Sequence, residues 1–481
     1  MNVKKLLSLL LVLTMLFSFA ACHLENPSDN TTGQTPNDNI GDGTGDQPSD
    51  KTEDTPPAPS APTMTITPSS PYALVGSMMH FTVSGDGFDR EALTYTVTEG
   101  MTNSPITTET GCKARIISEG ELTVTAISGE LSASCTVTAF PQESTITPDN
   151  EWIYYLGRTE MSGEKMLINN TAAGFEIKFY GQSVSAKLRN EGGDSVFAVF
   201  VDDETDPTAH NIRLSTDLVN GKAMLAQFEE PGFHTLRVQK ITEEQISRAS
   251  LVEITIEKGG LLPYEPAYDL KIEVYGDSIT AAYGNLRAES EPDDQKKQNG
   301  LLSYAAIAAT RLRAEYRTFC QSGIGLYTNP YNATRWMKDT YANVSPSSNT
   351  PWDMQSYTPD VVIINVGTND IWAQNGSTGN QPFNANDYIE HYVTFVTNLY
   401  KEYGEGTTFI LCSGMMETGL ASSIDRVANR LYEQGITEVY SVVLPLRSGY
   451  GGHPCLAAHK AAAEVLLAAI CEARGLEIPE E

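Results

Sequence analysis

Between residues 62 and 143, apolar positions alternate with polar ones in short runs: HFTVSG, LTYTV, KARIIS, ELTVTAISG and ELSASCTVTAF. Gly or Ser marks the turns between them. A two-residue period at this spacing predicts short, half-buried strands and an all-β sandwich. Residues 148–262 continue in the same style. GFEIKFYG puts Phe175, Ile177 and Phe179 on one face, and SVSAKLRN does the same with Val184, Ala186 and Leu188. With SVFAVFVDD, GFHTLRVQKIT and LVEITIEKG, about eight such strands predict a jelly-roll-like β-sandwich. His234 falls inside one of these strands, between Phe233 and Thr235, and reads as a structural histidine.

From residue 266 the pattern changes. LKIEVYG is a strand, SYAAIAATRLRAEY has helical spacing, RTFCQSG is a strand and PDVVIINVG is an apolar strand throughout. NDYIEHYVTFVTNLYKEYG is a helix, TTFILCSG a strand, SIDRVANRLYEQG a helix and EVYSVVLPL a strand. LAAHKAAAEVLLAAICEARG is the last helix. Strands alternate with helices, and most strands lack the two-fold pattern of an exposed face. This predicts an α/β three-layer domain over 266–478, with a parallel sheet between helices.

The N-terminus changes the picture of where these domains work. MNVKKLLSLLLVLTMLFSFAAC has two lysines, an apolar run and small residues before Cys22, the features of a secretory signal over 1–22. Its ending, FAAC, resembles a bacterial lipobox, in which reading Cys22 becomes a lipidated mature N-terminus. A plain signal peptide is the alternative. Residues 23–61 are Asp, Asn, Thr, Gly and Pro with almost nothing apolar, too little to offset the entropy of ordering. They read as a tether. Together these features predict a bacterial cell-surface or periplasmic protein, joined to a membrane only through its lipid. The formal charge of −29 excludes nucleic acid and anionic membrane faces as partners, because repulsion opposes both. Cys112 and Cys135 could pair on adjacent strands in an oxidising compartment. Cys320 and Cys412 read as buried small hydrophobes. No Cys or His spacing suits a metal, and no cofactor is expected.

In a parallel sheet, sites gather at the carboxyl ends of the strands. Here those ends read Gly276-Asp277-Ser278, then Ser322-Gly323-Ile324-Gly325, then Gly367-Thr368-Asn369-Asp370, and last RSGYGGHP with His453. A serine hydroxyl attacks only when a base takes its proton. His453 is the base among these ends, with an ordinary pKa suited to neutral pH. His459, six residues on and within the last helix, is its rival. Attack on an ester creates an oxyanion, which needs donors already aimed at it. The Ser278 N–H, the Gly323 N–H and the Asn369 side-chain amide are the candidates.

These four blocks, GDSIT, SGIG, GTND and GGHP, resemble those of the SGNH hydrolases, also called GDSL-like esterases. The resemblance departs in one place: where that superfamily usually carries an aspartate three residues before the histidine, this chain has Tyr450. A Ser278–His453 dyad is therefore expected, with Glu417 or Asp370 as rival sources of an acid. The stretch LGRTEMSGEKMLINNTAAGFEIKFYGQSVSAKL, together with GFHTLRVQKITE, looks like the N-terminal jelly-roll of carbohydrate esterase family two. GELTVTAISGELSASCTVTA looks like the end of a bacterial Ig-like domain, a spacer. The family-two resemblance implies an esterase removing O-acetyl groups from xylan, mannan or a similar polysaccharide. Some members of that family lack the acid, in agreement with Tyr450.

Aromatic residues near the strand ends add to this. Trp372, Tyr283 and Trp336 are candidate platforms for a sugar ring. Other hydrolases remain open at this level: an esterase of lipids, thioesters or O-acetylated peptidoglycan. So does a glycan-binding surface lipoprotein without activity, although the intact serine, glycine, asparagine and histidine set argues against it.

Overall fold

The computed structural model describes residues 61–331, 334–373, 380–446 and 452–480. The segment expected to be a signal peptide with Cys22, the expected tether up to residue 60, and Tyr450 lie outside the described residues. Among the described residues no helix is long and apolar enough to cross a membrane.

The first block folds as two four-stranded sheets. Thr65–Pro68, Met78–Ser84, Gly111–Arg115 and Ile106–Thr108 make one, and Tyr72–Leu74, Leu131–Phe140, Gly120–Ser128 and Thr94–Val97 make the other. The alternation seen in sequence supplies its core, with Phe81, Val83, Leu122, Val124 and Val137 all buried. Cys112 and Cys135 are not on adjacent strands. They lie in different sheets, and both are free thiols. Burial, with Cys135 adding to it, pushes the Cys112 thiol up to about 11.

The second block is a ten-stranded antiparallel assembly built on two long strands, Gly174–Gly193 and Ala223–Lys240. Register shifts between Gly181 and Ser183 and between Val184 and Ser185 bend the pair. Bulges of this kind add twist and let one strand serve both layers of a sandwich. Gly174–Gly193 consequently pairs with four different strands. Phe175, Ile177, Phe179, Val184, Ala186 and Leu188 point into the shared core. His234 pairs with Asp202 at 2.9 Å and stacks on Phe228, a structural setting.

The third block has a five-stranded parallel sheet. Its strands are β1 (Leu270–Gly276), β2 (Ala314–Cys320), β3 (Val361–Asn365), β4 (Thr408–Gly414) and β5 (Val439–Leu444), in the order β2-β1-β3-β4-β5. Helices α1 (Tyr304–Arg311) and α5 (Leu456–Arg474) cover one face, and α3 (Ala385–Tyr403) and α4 (Ala421–Glu433) cover the other. A short helix, α2 (Thr368–Trp372), follows β3. The pleat sorts β1 and β3: Ile272, Val274 and Ile363 face α1 and α5, while Tyr275, Val362 and Ile364 face α3 and α4. One boundary differs from the sequence expectation. The helical spacing continued into AEY, but the helix ends at Arg311 and β2 begins at Ala314. Arg313, in the left-handed region at φ 51°, makes the reversal between them.

The jelly-roll and the parallel-sheet block share a core. Ala198, Phe200 and Ile241 pack with Leu301, Ala306 and the rest of the α1 layer. Arg158 pins the two together. Wholly buried, it meets Glu273 on β1 at 3.0 Å, and donates to Tyr275 Oη at 2.6 Å and to the Asn343 carbonyl at 2.7 Å.

Candidate active site

At the end of β1 the chain turns through Gly276-Asp277-Ser278. Gly276 is needed for space rather than for an unusual φ: a Cβ there would lie 2.0 Å from Thr280 Oγ1. Asp277 is buried and shapes the turn, its Oδ1 accepting the Ile279 N–H at 2.9 Å. Burial pushes the Asp277 carboxyl up to about 7; that hydrogen bond opposes the shift and nearby Asp370 adds to it. Ser278 thereby heads a single helical turn at the carboxyl edge of the sheet.

His453 lies just before α5. Its Nε2 is 3.0 Å from Ser278 Oγ. Its Nδ1 is 2.6 Å from Asp293 Oδ2. Asp293 belongs to the long segment between β1 and α1, and its other oxygen meets Arg287 Nε at 3.0 Å. Arg287 is buried, and it also donates to the His453 and Glu291 carbonyls. The Tyr283 ring packs on the imidazole, centroids 4.6 Å apart. Nucleophile, base and acid therefore form a continuous chain, and the acid is none of those weighed from sequence. Asp370 instead accepts three backbone N–H groups, from Leu326, Tyr327 and Thr328 at 2.7, 2.9 and 3.0 Å. Glu417 accepts those of Gly414 and Leu420 at 3.0 and 2.8 Å.

The expectation of a dyad is thus corrected by Asp293. The sequence signal for it was weak. ESEPDDQKK has neither periodicity nor a motif, and four acids stand close together in it. A long irregular connection inside a compact domain is the one hint, because such loops often carry function. The rival base is placed as well. His459 is wholly buried in α5, its Nδ1 accepting the Tyr304 N–H at 3.1 Å at the start of α1. Burial, aided by His453, lowers it to about 3, so it stays neutral.

The other expected donors converge on the same edge. Gly323 follows β2 with φ +81°, a conformation glycine adopts without strain. The Ser278 and Gly323 amides donate to no protein acceptor among the described residues. Asn369, in the first turn of α2, donates from Nδ2 to the Ile324 carbonyl at 2.9 Å, beside Gly323, and more weakly to Asp277 Oδ2 at 3.4 Å, the bond an oxyanion would replace. Of the aromatic residues, Trp372 is 45% exposed at the end of α2. Trp336 is half-buried against the α3 layer, which takes up part of its ring. A cavity of about 490 Å³ lies between the jelly-roll and α1, but none of Ser278, Gly323, Asn369 and His453 lines it.

Comparison with known proteins agrees with this layout. Residues 155–266 match the family model "Carbohydrate esterase 2 N-terminal", and residues 272–442 match "GDSL-like Lipase/Acylhydrolase". The second match ends before His453. Cellulase/esterase CelE of Acetivibrio thermocellus is 31% identical over 344 residues, which are 68% of this chain and 40% of that protein. The chain thus spans less than half of that relative. An acetylxylan esterase / glucomannan deacetylase of Cellvibrio japonicus is 25% identical over 63% of this chain and 84% of its own length. A family two carbohydrate esterase from Clostridium thermocellum, solved in complex with cellohexaose, superimposes with a TM-score of 0.59 at 28% identity, over 67% of this chain and 99% of that one. A family two esterase from Cellvibrio japonicus shares the fold, at a TM-score of 0.61 and 22% identity over 69% of this chain and 98% of that one. From its jelly-roll through its parallel sheet, this chain resembles the SGNH-type carbohydrate esterases of family two.

Proposed function

We propose that the chain is a carbohydrate O-acetyl esterase acting on acetylated xylan, mannan or a similar polysaccharide. The observation that carries this is the chain Ser278 Oγ–His453 Nε2–Asp293, at 3.0 and 2.6 Å. His453 takes the hydroxyl proton as Oγ attacks the acetyl carbonyl, and Asp293 holds the imidazole in the tautomer that leaves Nε2 free to accept. The oxyanion forms among the Ser278 and Gly323 amides and the Asn369 side chain. Protonated His453 then gives its proton to the departing sugar oxygen. Water, deprotonated by the same histidine, releases acetate from Ser278. Tyr283, whose ring packs on His453, and Trp372, exposed at the end of α2, are the ring faces this reading assigns to sugar.

The substrate class follows the relatives' names. We read the domains as 62–143, 148–262 and 266–478; the strand Glu143–Ile146 at the first boundary pairs with Ser247–Glu257 of the second block. We read the first sandwich as an Ig-like spacer, carried on a tether from lipidated Cys22 at a bacterial surface. Release of acetate tests the activity, measured in parallel on acetylated xylan, acetylated glucomannan, O-acetylated peptidoglycan and a long-chain acyl ester. Acetate from the plant glycans is expected, with at least a thousandfold loss in Ser278→Ala. Turnover confined to peptidoglycan or the long-chain ester would overturn the substrate reading.

A further inference from the structure

The turn leaving the jelly-roll strand Ala223–Lys240 carries Glu243, which is wholly buried. Its two oxygens grip one residue of the neighbouring block: Oε2 accepts the Ser322 N–H at 2.8 Å and Oε1 accepts the Ser322 hydroxyl at 2.7 Å. Ser322 immediately precedes Gly323. The same turn reaches the nucleophile. The Glu243 N–H donates to Gln298 Oε1 at 3.3 Å, and Gln298 Nε2 donates to the Ala281 carbonyl at 2.6 Å, in the turn that Ser278 heads. Next to it, the Ile241 carbonyl accepts the Gly300 N–H at 2.9 Å.

A buried carboxylate is costly unless its oxygens are satisfied. Glu243 stands beside Lys240, also wholly buried, whose Nζ donates to the Asn169 and Thr242 carbonyls at 3.0 and 2.6 Å. The arrangement places an expensive group where a neutral one would satisfy an ordinary turn. What it holds is the peptide leading into a glycine at φ +81°. Glycine lacks the Cβ that limits backbone rotation elsewhere, so the direction of its N–H depends on what fixes the preceding residue.

We propose that Glu243 is a positioning residue of the esterase: by clamping Ser322 it aims the Gly323 N–H at the oxyanion that the Ser278 N–H also meets. The jelly-roll is then part of the catalytic machinery as well as a neighbour of it. This rests on the reading of Ser278 and Gly323 as oxyanion donors in the function proposed above.

Glu243→Ala and Glu243→Gln test it, compared with Ser278→Ala on an aryl acetate and on acetylated xylan. Glutamine retains both contacts, since its oxygen can accept the N–H and its amide can donate to the hydroxyl. Misaiming one donor is worth up to about 10²-fold. Glu243→Ala is therefore expected to lower kcat 30- to 100-fold (~1.5–2 decades on that scale) with KM little changed. A boronic acid that mimics the tetrahedral intermediate should lose affinity in parallel, and deacetylated oligosaccharide should not. Glu243→Gln should recover most of the rate. A folded Glu243→Ala with wild-type kcat, beside an inactive Ser278→Ala, overturns this inference and leaves the esterase reading standing. A rise in KM alone also overturns it. An active Ser278→Ala overturns the esterase reading itself. If Glu243→Ala does not fold, Ser322→Ala removes the hydroxyl contact alone. A kcat loss of about tenfold is then expected, and unchanged kcat is the refuting result.

Discussion

Asp293→Asn is the sharpest test of how His453 is held. The substitution keeps the size of the side chain and removes its charge, at a contact of 2.6 Å with the imidazole. During attack on the ester that imidazole becomes a cation, so the lost energy is that of a carboxylate facing an imidazolium. Unit charges about 4 Å apart, in surroundings with an effective dielectric near 20, attract by about 4 kcal/mol. Two facts reduce this. Both side chains keep about a fifth of their surface in water, and Arg287 at 3.0 Å from Asp293 repels the same cation. A net loss of about 3 kcal/mol remains, or about two powers of ten in kcat. That is the charge part alone; an asparagine that donates to Nδ1 also favours the wrong tautomer, the effect behind the roughly 10⁴-fold loss in a serine-protease triad, so the loss should fall between about 10² and 10⁴. The assay is kcat and KM for an aryl acetate and for acetylated xylan, with folding checked by circular dichroism. KM should stay within about threefold, because the charge appears only in the transition state. A folded Asp293→Asn enzyme within fivefold of wild-type kcat would refute the argument. The backbone and the Tyr283 ring would then suffice to orient His453.

Asn369→Ala should lower kcat by about 10²-fold with little change in KM, as expected of an oxyanion donor; an effect on KM alone would make the residue a substrate contact. Arg158→Ala strands Glu273 in the core, so a loss of about 3–5 kcal/mol in urea unfolding is expected, and a midpoint shift worth under 1 kcal/mol counts against it. Because burial holds His459 at about 3, below the unfolded value near 6.5, its contribution is complete above pH 6.5 and is lost as the pH falls towards 3. The unfolded chain binds the extra proton in that window, so stability rises with pH there, by about 3 kcal/mol between pH 4 and 7. His459→Gln should flatten that part of the denaturation profile, and an unchanged slope would show that His459 is not the group responsible.

The strand ends were legible because each is a local event. An apolar run stops, a glycine follows and a polar residue takes the next place. Topology then brings Ser278, Gly323 and Asn369 together without any long-range pairing to guess. Asp293 was not legible for the opposite reason. It reaches His453 across 160 positions, from a stretch where several carboxylates are equivalent by composition. What singles it out is Arg287, buried beneath the loop, and burial of an arginine is a tertiary fact. The Cys112 and Cys135 strands were each predicted, but alternation within a strand does not say which sheet the strand joins. Likewise the helical spacing around Arg313 ran on past the left-handed residue that ends it, since a positive φ leaves no mark in hydrophobic periodicity.

Arg158, Ile241 and Glu243 are all jelly-roll residues, and each is completed by a partner in the parallel-sheet block. Such a domain cannot be exchanged as a cassette. Transplanting it onto another parallel-sheet domain would leave one unpaired ion, one gap in a core and one unclamped loop, each inherited from a different place in sequence. The two blocks are bound to diverge together, a change on one side licensing a change on the other. In a calorimeter they should melt as a single transition, and a chain cut between Leu262 and Leu270 should yield two insoluble halves rather than a binding module and an enzyme.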